Sequence, residues 1–334
     1  MALDLTPWFV GGGAQHSPEV ARLLAYAATS GAEGIVEPAS LAVKAHSTPN
    51  GTVAVRPGAA LILNRYAGGT QQTYVLRNPS STAVTIPATD SGGGRTDAII
   101  ARVLDPQYEG AAPSDPVTFN YARLERIASV PGNLSSINQL GLTYPAILLA
   151  KITIPASTGT ITNGMITDLR DVAIPRVADM WRPRPNVVAD RETLKAAGVD
   201  GEYFPNAGGE QTISVPKWAT RAQIRATWMG VRLEPGTNWG EIWAEFGPYL
   251  RASTRKYSTQ RYTWDGTASG GVTRQPWIVE DDVYVPADIR GTDQIFVMKA
   301  RYGAAGGAWT ASIDGMSGVS LAIRFLEVAD PSTT

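Results

Sequence analysis

Glycine and proline interrupt this chain so often that few segments leave room for a long regular helix. The 334 residues include 34 glycines and 23 prolines, and the runs between them are short and rich in valine, isoleucine and threonine. Two typical runs are TVAVRPGAALIL (52–63) and AILLAKITIP (146–155). Such residues favour strands over helices. The sequence therefore predicts a mainly β protein.

One short helix is predicted near the start, in HSPEVARLLAYAATSG. Ser17 is a suitable N-cap, and Pro18 fits the first helical position because its missing N–H is not needed there. Gly31 is suited to a left-handed C-terminal cap. Apolar side chains recur between them at helical spacing, at Val20, Leu23, Leu24 and Ala27.

Changes in pattern divide the chain into three parts. Residues 1–170 are predicted to form a β-domain that contains the helix. Residues 171–200 carry Pro175, Pro183 and Pro185, which predict a connector, and end in a short predicted helix from Arg191 to Ala197 with Asp190 as its cap. Residues 201–334 hold seven of the nine tryptophans and alternate as an antiparallel, jelly-roll-like β-sandwich does.

Composition excludes several classes of protein. The net charge of −1 provides no basic face for nucleic acid. The chain has no cysteine, so disulfides, thiolate metal sites and cysteine nucleophiles are excluded. The longest uncharged apolar stretch, LTYPAILLA (142–150), is too short to cross a bilayer. The first residues lack the pattern of a secretory signal. We expect neither membrane insertion nor a cofactor.

The stretch GGGRTDAIIARV (92–103) has two interpretations, a phosphate cradle or a turn that enters a strand. A P-loop needs Lys followed by Ser or Thr after its glycines, and Asp97 occupies the third glycine position of a dinucleotide motif. The turn is therefore favoured. Arg95 and Asp97 then lie on one side of the strand, two residues apart, and are predicted to form a structural ion pair.

Catalytic motifs are weak. His16 and His46 are the only histidines, and the GxSxG motif of serine hydrolases is absent. Two carboxylates suffice for glycoside hydrolysis, and Glu241 with Glu245, or the group Glu280–Asp282, could supply them. A solvated strand edge is the usual explanation for such acidic residues. They also lack the spacing of a calcium-binding loop, so no metal site is predicted.

The most distinctive string is NWGEIWAEFG (238–247). Alternation places Ile242, Ala244 and Phe246 on one face and the candidate ligand-binding residues on the other, namely Trp239, Glu241, Trp243 and Glu245. Two indoles flanked by carboxylates would suit stacking and hydrogen bonding to a sugar ring. The alternative is that this face is buried against a sheet or another subunit, the more common environment of tryptophan.

Several strings, in order, resemble the N-terminal part of minor tail proteins from long-tailed phages of actinobacteria, and are similar to anchors of upper-baseplate or receptor-binding proteins. The resemblance covers residues 6–177 and is carried by PWFVGGGAQHSPEVARLLAYAATSGAEGIV, VRPGAALILNR, QTYVLRN, GGGRTDAIIARVLDPQYEG and IPASTGTITNGMITDLRDVAIPR. It implies fold-determining, non-catalytic roles for Arg95, Asp97, Asp168 and Arg170. Residues 201–334 have no counterpart in it, since distal domains of tail proteins vary with the host.

The resemblance implies a non-enzymatic structural protein of the virion, located at the tail tip or baseplate and assembled in the host cytoplasm. Its implied partners are copies of itself, most often in a trimer, and other tail proteins. We expect the aromatic-rich domain to contact the host receptor, a cell-envelope glycan. Two alternatives stay open: a tail-associated glycan hydrolase that uses carboxylates of the C-terminal domain, and a non-viral carbohydrate-binding module.

Overall fold

The computed structural model describes residues 10, 12–13, 15–185, 191–206, 209–251, 253–268, 270–303 and 311–330. The fold is mainly β and is built from antiparallel sheets, which confirms the predicted class. The chain forms two compact units, Met1–Pro175 together with Val328–Thr334, and Arg176–Glu327. The chain thus leaves the first unit once and returns to it after the second is complete.

Within its described residues, the first unit contains one α-helix and ten strands. They are α1 (Pro18–Ala28), β1 (Gly34–Ile35), β2 (Val43–Ala45), β3 (Thr52–Val55), β4 (Gly58–Leu63), β5 (Thr73–Asn78), β6 (Thr82–Thr85), β7 (Arg95–Val103), β8 (Ala122–Ile127), β9 (Ala146–Ile154) and β10 (Ile166–Asp168), with 3₁₀ turns at Ile137–Leu140 and Asn163–Met165. Three sheets result, with strand orders β1-β4-β5, β2-β3-β6 and β10-β9-β7-β8. Val, Ile and Leu side chains of all three sheets form one core.

Helix α1 begins and ends as its sequence predicts. The Ser17 hydroxyl accepts a hydrogen bond from the Val20 N–H at 3.3 Å, and Gly31 adopts a φ of +68° just after the helix. The side of the helix that packs inward is polar: Arg22 is buried and donates to Gln72 at 2.5 Å. Leu23 and Leu24 are instead 40% and 47% exposed, so the apolar stripe of this helix faces outward.

The glycine-rich stretch before β7 is a turn, and the ion pair predicted beside it is present. An added Cβ on Gly94 would lie 2.6 Å from the Ile154 carbonyl oxygen, so the turn has no room for a side chain. Asp97 is fully buried. It accepts hydrogen bonds from Arg95 Nε at 3.0 Å and from Arg126 Nη1 at 3.0 Å. Its carboxylate thus ties the start of β7 to the end of β8.

A second ion pair of the same kind lies at the opposite edge of this sheet, at the end of β10. Arg170 is buried and donates to both oxygens of Asp168, with Nε–Oδ1 at 2.8 Å and Nη2–Oδ2 at 2.7 Å. Its remaining Nη1 donates to the carbonyl oxygens of Pro38 and Ser40, at 3.0 and 2.5 Å. Since those carbonyls precede β2, the pair fixes the chain after β10 to a distant loop.

The second unit contains twelve strands in the part of it that the structure describes. They are β11 (Val177–Pro185), β12 (Glu192–Thr193), β13 (Glu202–Tyr203), β14 (Glu210–Ser214), β15 (Arg221–Leu233), β16 (Gly236–Arg251), β17 (Thr254–Ser258), β18 (Tyr262–Ala268), β19 (Thr273–Tyr284), β20 (Asp293–Tyr302), β21 (Ala311–Ile313) and β22 (Gly318–Leu326), with a 3₁₀ turn at Ala287–Ile289. One sheet has the order β11-β22-β15-β21-β12, with β19 also paired to β15; the other has β13-β20-β16-β17, with β14 on β20 and β18 on β16.

These two sheets form the predicted sandwich. Alternate residues of β22, from Val319 to Phe325, point into its core, which also takes large aromatic side chains from both sheets. Trp264 of one sheet stacks on Trp277 of the other, with ring centroids 4.4 Å apart. Trp228 is fully buried beside them and donates its indole N–H to the Phe204 carbonyl. Aromatic packing therefore joins the two layers.

The predicted connector over 171–200 differs from the structure. Residues 177–185 form β11, which pairs with β22 from Val177↔Leu326 to Pro185↔Gly318. Its prolines are tolerated because β11 lies at the edge of the sheet, where one row of N–H groups has no neighbouring strand to bind. The residues that precede β11, up to Pro175, belong to the first unit. The residues from Val328 onward belong to it as well.

The helix predicted from Arg191 to Ala197 is wrong. Glu192 and Thr193 form β12 and pair with β21, and Leu194 is buried in the sandwich core. Pairing with a neighbouring strand and burial of one leucine outweigh a local helical preference, which is worth only a few tenths of a kcal/mol per residue. Asp190, the predicted cap, lies outside the described residues.

Asp97→Asn tests the ion pair in the first unit. The amide keeps the shape of the carboxylate but leaves Arg95 and Arg126 without their shared counter-charge, so we expect a loss of about 3 kcal/mol in the free energy of unfolding. Urea denaturation measures it. Asp171→Asn, an exposed carboxylate of the same unit, is the control and should leave stability unchanged. Equal, small effects of both substitutions would contradict a structural role for the pair.

A carboxylate also joins the two ends of the second unit. Glu327 is buried, and Arg176 donates to it from Nε at 2.7 Å and from Nη2 at 2.5 Å. The Glu327 N–H donates in turn to the Arg176 carbonyl at 3.0 Å. Burial by itself raises the pKa of Glu327, but the hydrogen bonds from Arg176 outweigh burial and hold the pKa below its ordinary value.

This lowered pKa predicts how stability depends on pH. Because the folded-state pKa of Glu327 lies below the ordinary value of 4.5, its stabilisation is present above that pH and is lost as the pH falls through the folded value. Glu327→Gln should therefore destabilise the protein at pH 7, and the difference from the wild type should shrink below pH 4.5. Unfolding curves at a series of pH values test this, and a difference independent of pH would contradict it.

Candidate functional site

The predicted ligand-binding residues of β16 do not share one surface. Ile242, Ala244 and Phe246 face the sandwich core, as alternation predicts. Among the candidate residues on the opposite face, Trp239 is 45% exposed, whereas Trp243 is at 0% and Glu245 at 2%. Of the two alternatives that the sequence leaves open, burial holds for Trp243 and Glu245, and a sugar-stacking surface that includes both indoles is absent.

A buried charge pair explains how Glu245 can lie inside. Lys299 on the neighbouring strand β20 is fully buried, with Nζ 3.4 Å from Glu245 Oε1. Glu245 also accepts from Trp243 Nε1 at 2.7 Å and from the Arg255 N–H at 2.9 Å. Burial lowers the pKa of Lys299, and the Glu245 carboxylate opposes that change. Because the protein itself supplies these hydrogen-bond donors, the Glu245 carboxylate has a structural role.

The indole of Trp243 is covered from both sides. An added Cβ on Gly201 would lie 2.4 Å from the edge of its ring, so the glycine allows the backbone to reach the indole. The Arg261 guanidinium lies 4.1 Å from the ring centroid. These groups close the outer face of β16 over Trp243, which leaves no access for a ligand.

Glu241 and Trp239 lie on the same strand, outside the part of β16 where Gly201 and Arg261 cover Trp243. Glu241 accepts from Arg301 Nε at 2.9 Å and from Arg261 Nη1 at 3.3 Å. The hydrogen bond from Arg301, aided by the one from Arg261, holds the pKa of Glu241 below its ordinary value. The indole of Trp239 lies directly on Gly303, where an added Cβ would fall 1.9 Å from the ring. Neither residue lines a cavity with Trp243 or Glu245.

A different surface of the second unit has the features of a binding site. It is the outer face of the four strands β11, β22, β15 and β19, in that order, and it contains a groove of about 810 Å³. We call it the outer groove. Two rows of aligned side chains cross it from strand to strand: Asp179, Arg324, Gln223 and Asp282 in one row, and Trp181, Ala322, Arg225 and Glu280 in the other.

Trp181 is the dominant side chain of the outer groove. It is 67% exposed although it is a large aromatic residue, and Ala322 is its partner on β22. The short alanine leaves open space beside the indole. Strands lie about 4.8 Å apart, so the row from Trp181 to Glu280 spans three intervals, about 14 Å. The groove therefore joins an exposed ring face to a long polar floor.

Ion pairs between neighbouring strands form that floor. Arg324 Nε lies 2.7 Å from Asp179 Oδ1, Arg225 Nε lies 3.1 Å from Glu280 Oε1, and Arg221 Nε lies 2.9 Å from Asp282 Oδ1. The hydrogen bond from Arg324 holds the pKa of Asp179 below its ordinary value. The groove thus presents fixed donors and acceptors beside an indole, the combination that recognises polyhydroxylated ligands.

The sequence contained part of the signal for this site. The acidic group Glu280–Asp282 was identified, and it lies on the edge strand β19 as such groups commonly do. Trp181 and Asp179 were missed because the nearby prolines predicted a connector instead of a strand. The string VADMWRP alternates as a strand does, and Ala178 and Met180 pack against the core. This alternation is the signal that would have placed Asp179 and Trp181 together on the outward face.

No described helix has the length and hydropathy needed to cross a membrane. The described His, Asp and Glu side chains do not gather anywhere into a group of three that could hold a metal ion.

Comparisons with known proteins give only distant similarity. No family model and no curated protein matches the chain. Among solved structures, the infectious bursal disease virus VP2 subviral particle is 12% identical, with 89% of this chain and 74% of that chain covered and a TM-score of 0.23. The N-terminal CBM22-1–CBM22-2 tandem domain of Paenibacillus barcinonensis Xyn10C is 11% identical, with 85% and 97% covered and a TM-score of 0.23. At these TM-scores the similarity carries no argument about function.

Trp243→Ala and Trp239→Ala distinguish a buried residue from an exposed one on the same strand. Trp243→Ala removes a fully buried indole, and we expect it to cost about 3–5 kcal/mol. Trp239→Ala should cost far less because nearly half of that side chain already contacts water. Chemical denaturation of both variants measures the difference. Similar, small losses at both positions would contradict the buried placement of Trp243.

Proposed function

We propose that this chain is a non-enzymatic structural protein of a phage tail tip or baseplate. In this proposal the first unit attaches to other tail proteins and the second contacts a glycan of the host envelope. The support for the tail assignment is the ordered set of strings in residues 6–177, which extends over nearly all of the unit Met1–Pro175. Those strings also contain two ion pairs of that unit that each have one fully buried side chain, Arg95–Asp97 and Asp168–Arg170.

The outer groove is the observation that supports glycan contact by the second unit. Tryptophan is highly buried on average, whereas Trp181 is two-thirds exposed beside aligned polar side chains. Sugar rings have an apolar face that stacks on indole and a rim of hydroxyls that pairs with carboxylates and guanidinium groups. In the outer groove, Arg225 and Glu280 provide such groups in the same row as Trp181.

Gold-labelled antibody against this protein tests the tail assignment. On virions of the phage that encodes the chain, label should collect at the end of the tail distal to the head. Virions that carry no label, together with glycan binding by the free protein, would favour the non-viral carbohydrate-binding module. Release of new reducing ends from a bound polysaccharide would instead favour the hydrolase alternative, with Glu280 and Asp282 as the first carboxylates to replace.

We further propose that the protein is a homo-oligomer, with a trimer as the expected state. The support is the outward apolar face of α1, where Leu23 and Leu24 are exposed while Arg22 on the opposite side is buried. Contiguous apolar surface of this kind is typical of contacts between subunits.

Leu24→Glu tests the oligomer. A charge on the apolar face of α1 should weaken association, so the molar mass measured by light scattering at micromolar concentration should fall toward that of a monomer. Val117→Glu, which adds the same charge at a residue 92% exposed in the first unit, is the matched control and should leave the mass unchanged. A wild-type protein that is monomeric at all concentrations would contradict the proposal.

A further inference from the structure

We infer that the outer groove binds an electrically neutral saccharide and discriminates against anionic ones. The inference rests on the proposed glycan contact and adds the chemical class of the ligand. It follows from the charges that line the groove and from how they are already paired. The relevant side chains belong to four adjacent strands, and all of them lie within the second unit.

Charge in and beside the groove is balanced. On its outer face, Asp179, Glu280 and Asp282 contribute three negative charges, and Arg221, Arg225 and Arg324 contribute three positive ones, a net charge of zero. Each arginine lies within 3.1 Å of a carboxylate oxygen on a neighbouring strand. Sites that hold anions instead present arginine or lysine in excess.

An anionic sugar would therefore meet a double disadvantage in this groove. Its carboxylate or phosphate would have to displace Asp179, Glu280 or Asp282 from an existing ion pair. The remaining carboxylates of the two rows would also repel it, because like charges at short range repel.

A neutral sugar meets neither disadvantage. A carboxylate has about four lone-pair sites and a guanidinium has five N–H donors, so an ion pair leaves capacity for additional hydrogen bonds. Sugar hydroxyls are both donors and acceptors and can bind to each half of a pair without separating it. The exposed indole of Trp181 and the open space at Ala322 then accommodate the apolar face of the ring.

The decisive experiment measures binding of the full-length protein to matched neutral and charged probes. Methyl-esterified oligogalacturonides and the free-acid oligogalacturonides share ring and linkage and differ in the charge of the carboxyl group. Chitin and chitosan oligomers form a second pair, neutral and cationic. By calorimetry, we expect at least one neutral probe to bind and its charged counterpart to bind at least about tenfold more weakly, because like-charge contacts and broken ion pairs of this size cost 1.4 kcal/mol or more.

The dependence of affinity on salt concentration is an independent test of whether the bound sugar is neutral. Raising the salt from about 0.01 M to about 1 M shortens the screening length from about 30 Å to about 3 Å. The affinity for a neutral sugar should change little over that range. An affinity that falls steeply with salt would show attraction between opposite charges and would overturn the inference.

Single and double substitutions test whether the sugar binds in the outer groove. Trp181→Ala should weaken neutral-sugar binding about three- to tenfold through lost stacking, and Trp181→Tyr should retain most of it. Trp239→Ala, an exposed tryptophan of the same unit outside the groove, is the matched control. The double variant Glu280→Gln with Asp282→Asn raises the net charge of the groove to +2, and it should gain binding to free-acid oligogalacturonides that the wild type lacks.

The outcomes separate the inference from the proposed function. Binding of an anionic or cationic probe that Trp181→Ala weakens would overturn the neutral-sugar inference and keep the glycan contact. No sugar binding, or equal effects of Trp181→Ala and Trp239→Ala, would contradict the glycan contact itself. Self-association that Trp181→Ala abolishes, without any sugar binding, would identify the face as an interface between copies and would overturn both.

Discussion

Buried carboxylates with arginine or lysine partners are the interaction on which both units depend. Asp97, Glu245 and Glu327 are all at most 2% exposed. An uncompensated charge at such a position would cost several kcal/mol, so each carboxylate requires its partner at the observed place. Because the partners come from different strands or from opposite ends of a unit, each pair permits only one arrangement of the segments that it joins. The apolar core of each unit packs around these ion pairs.

The sequence allowed prediction of those features that are encoded locally. Frequent glycines and prolines between short β-branched runs predicted the sheets, and Ser17, Pro18 and Gly31 predicted the limits of α1. The pairing of Arg95 with Asp97 was predictable because residues two apart in a strand share a face. The participation of Arg126 was not, because it comes from β8 and depends on how β7 and β8 align.

The failures of prediction have a common physical cause, namely contacts between segments distant in sequence. Pro183 and Pro185 act as breakers in isolation, yet they are compatible with a strand at the edge of a sheet. Trp243 and Glu245 alternate with core residues, as outward residues do, but Lys299 and Arg261 cover them. Alternation specifies which side of a strand a residue occupies. It does not specify whether that side meets solvent, and at Trp243 and Glu245 of β16 both sides of the strand are buried.

The charges of the outer groove have a weak explanation in stability and a stronger one in binding. Exposed ion pairs contribute roughly 0–1 kcal/mol each, and charges on edge strands such as β11 and β19 serve to prevent pairing with other chains. Neither effect accounts for Arg324 and Arg225, which lie on the interior strands β22 and β15. An interior strand has no free edge to protect. Their alignment with Asp179, Trp181 and Glu280 instead brings donors, acceptors and one indole face together on one surface. In the proposed glycan contact, polar groups that already hold one another in ion pairs reduce the free energy that a ligand loses to ordering the protein when it binds.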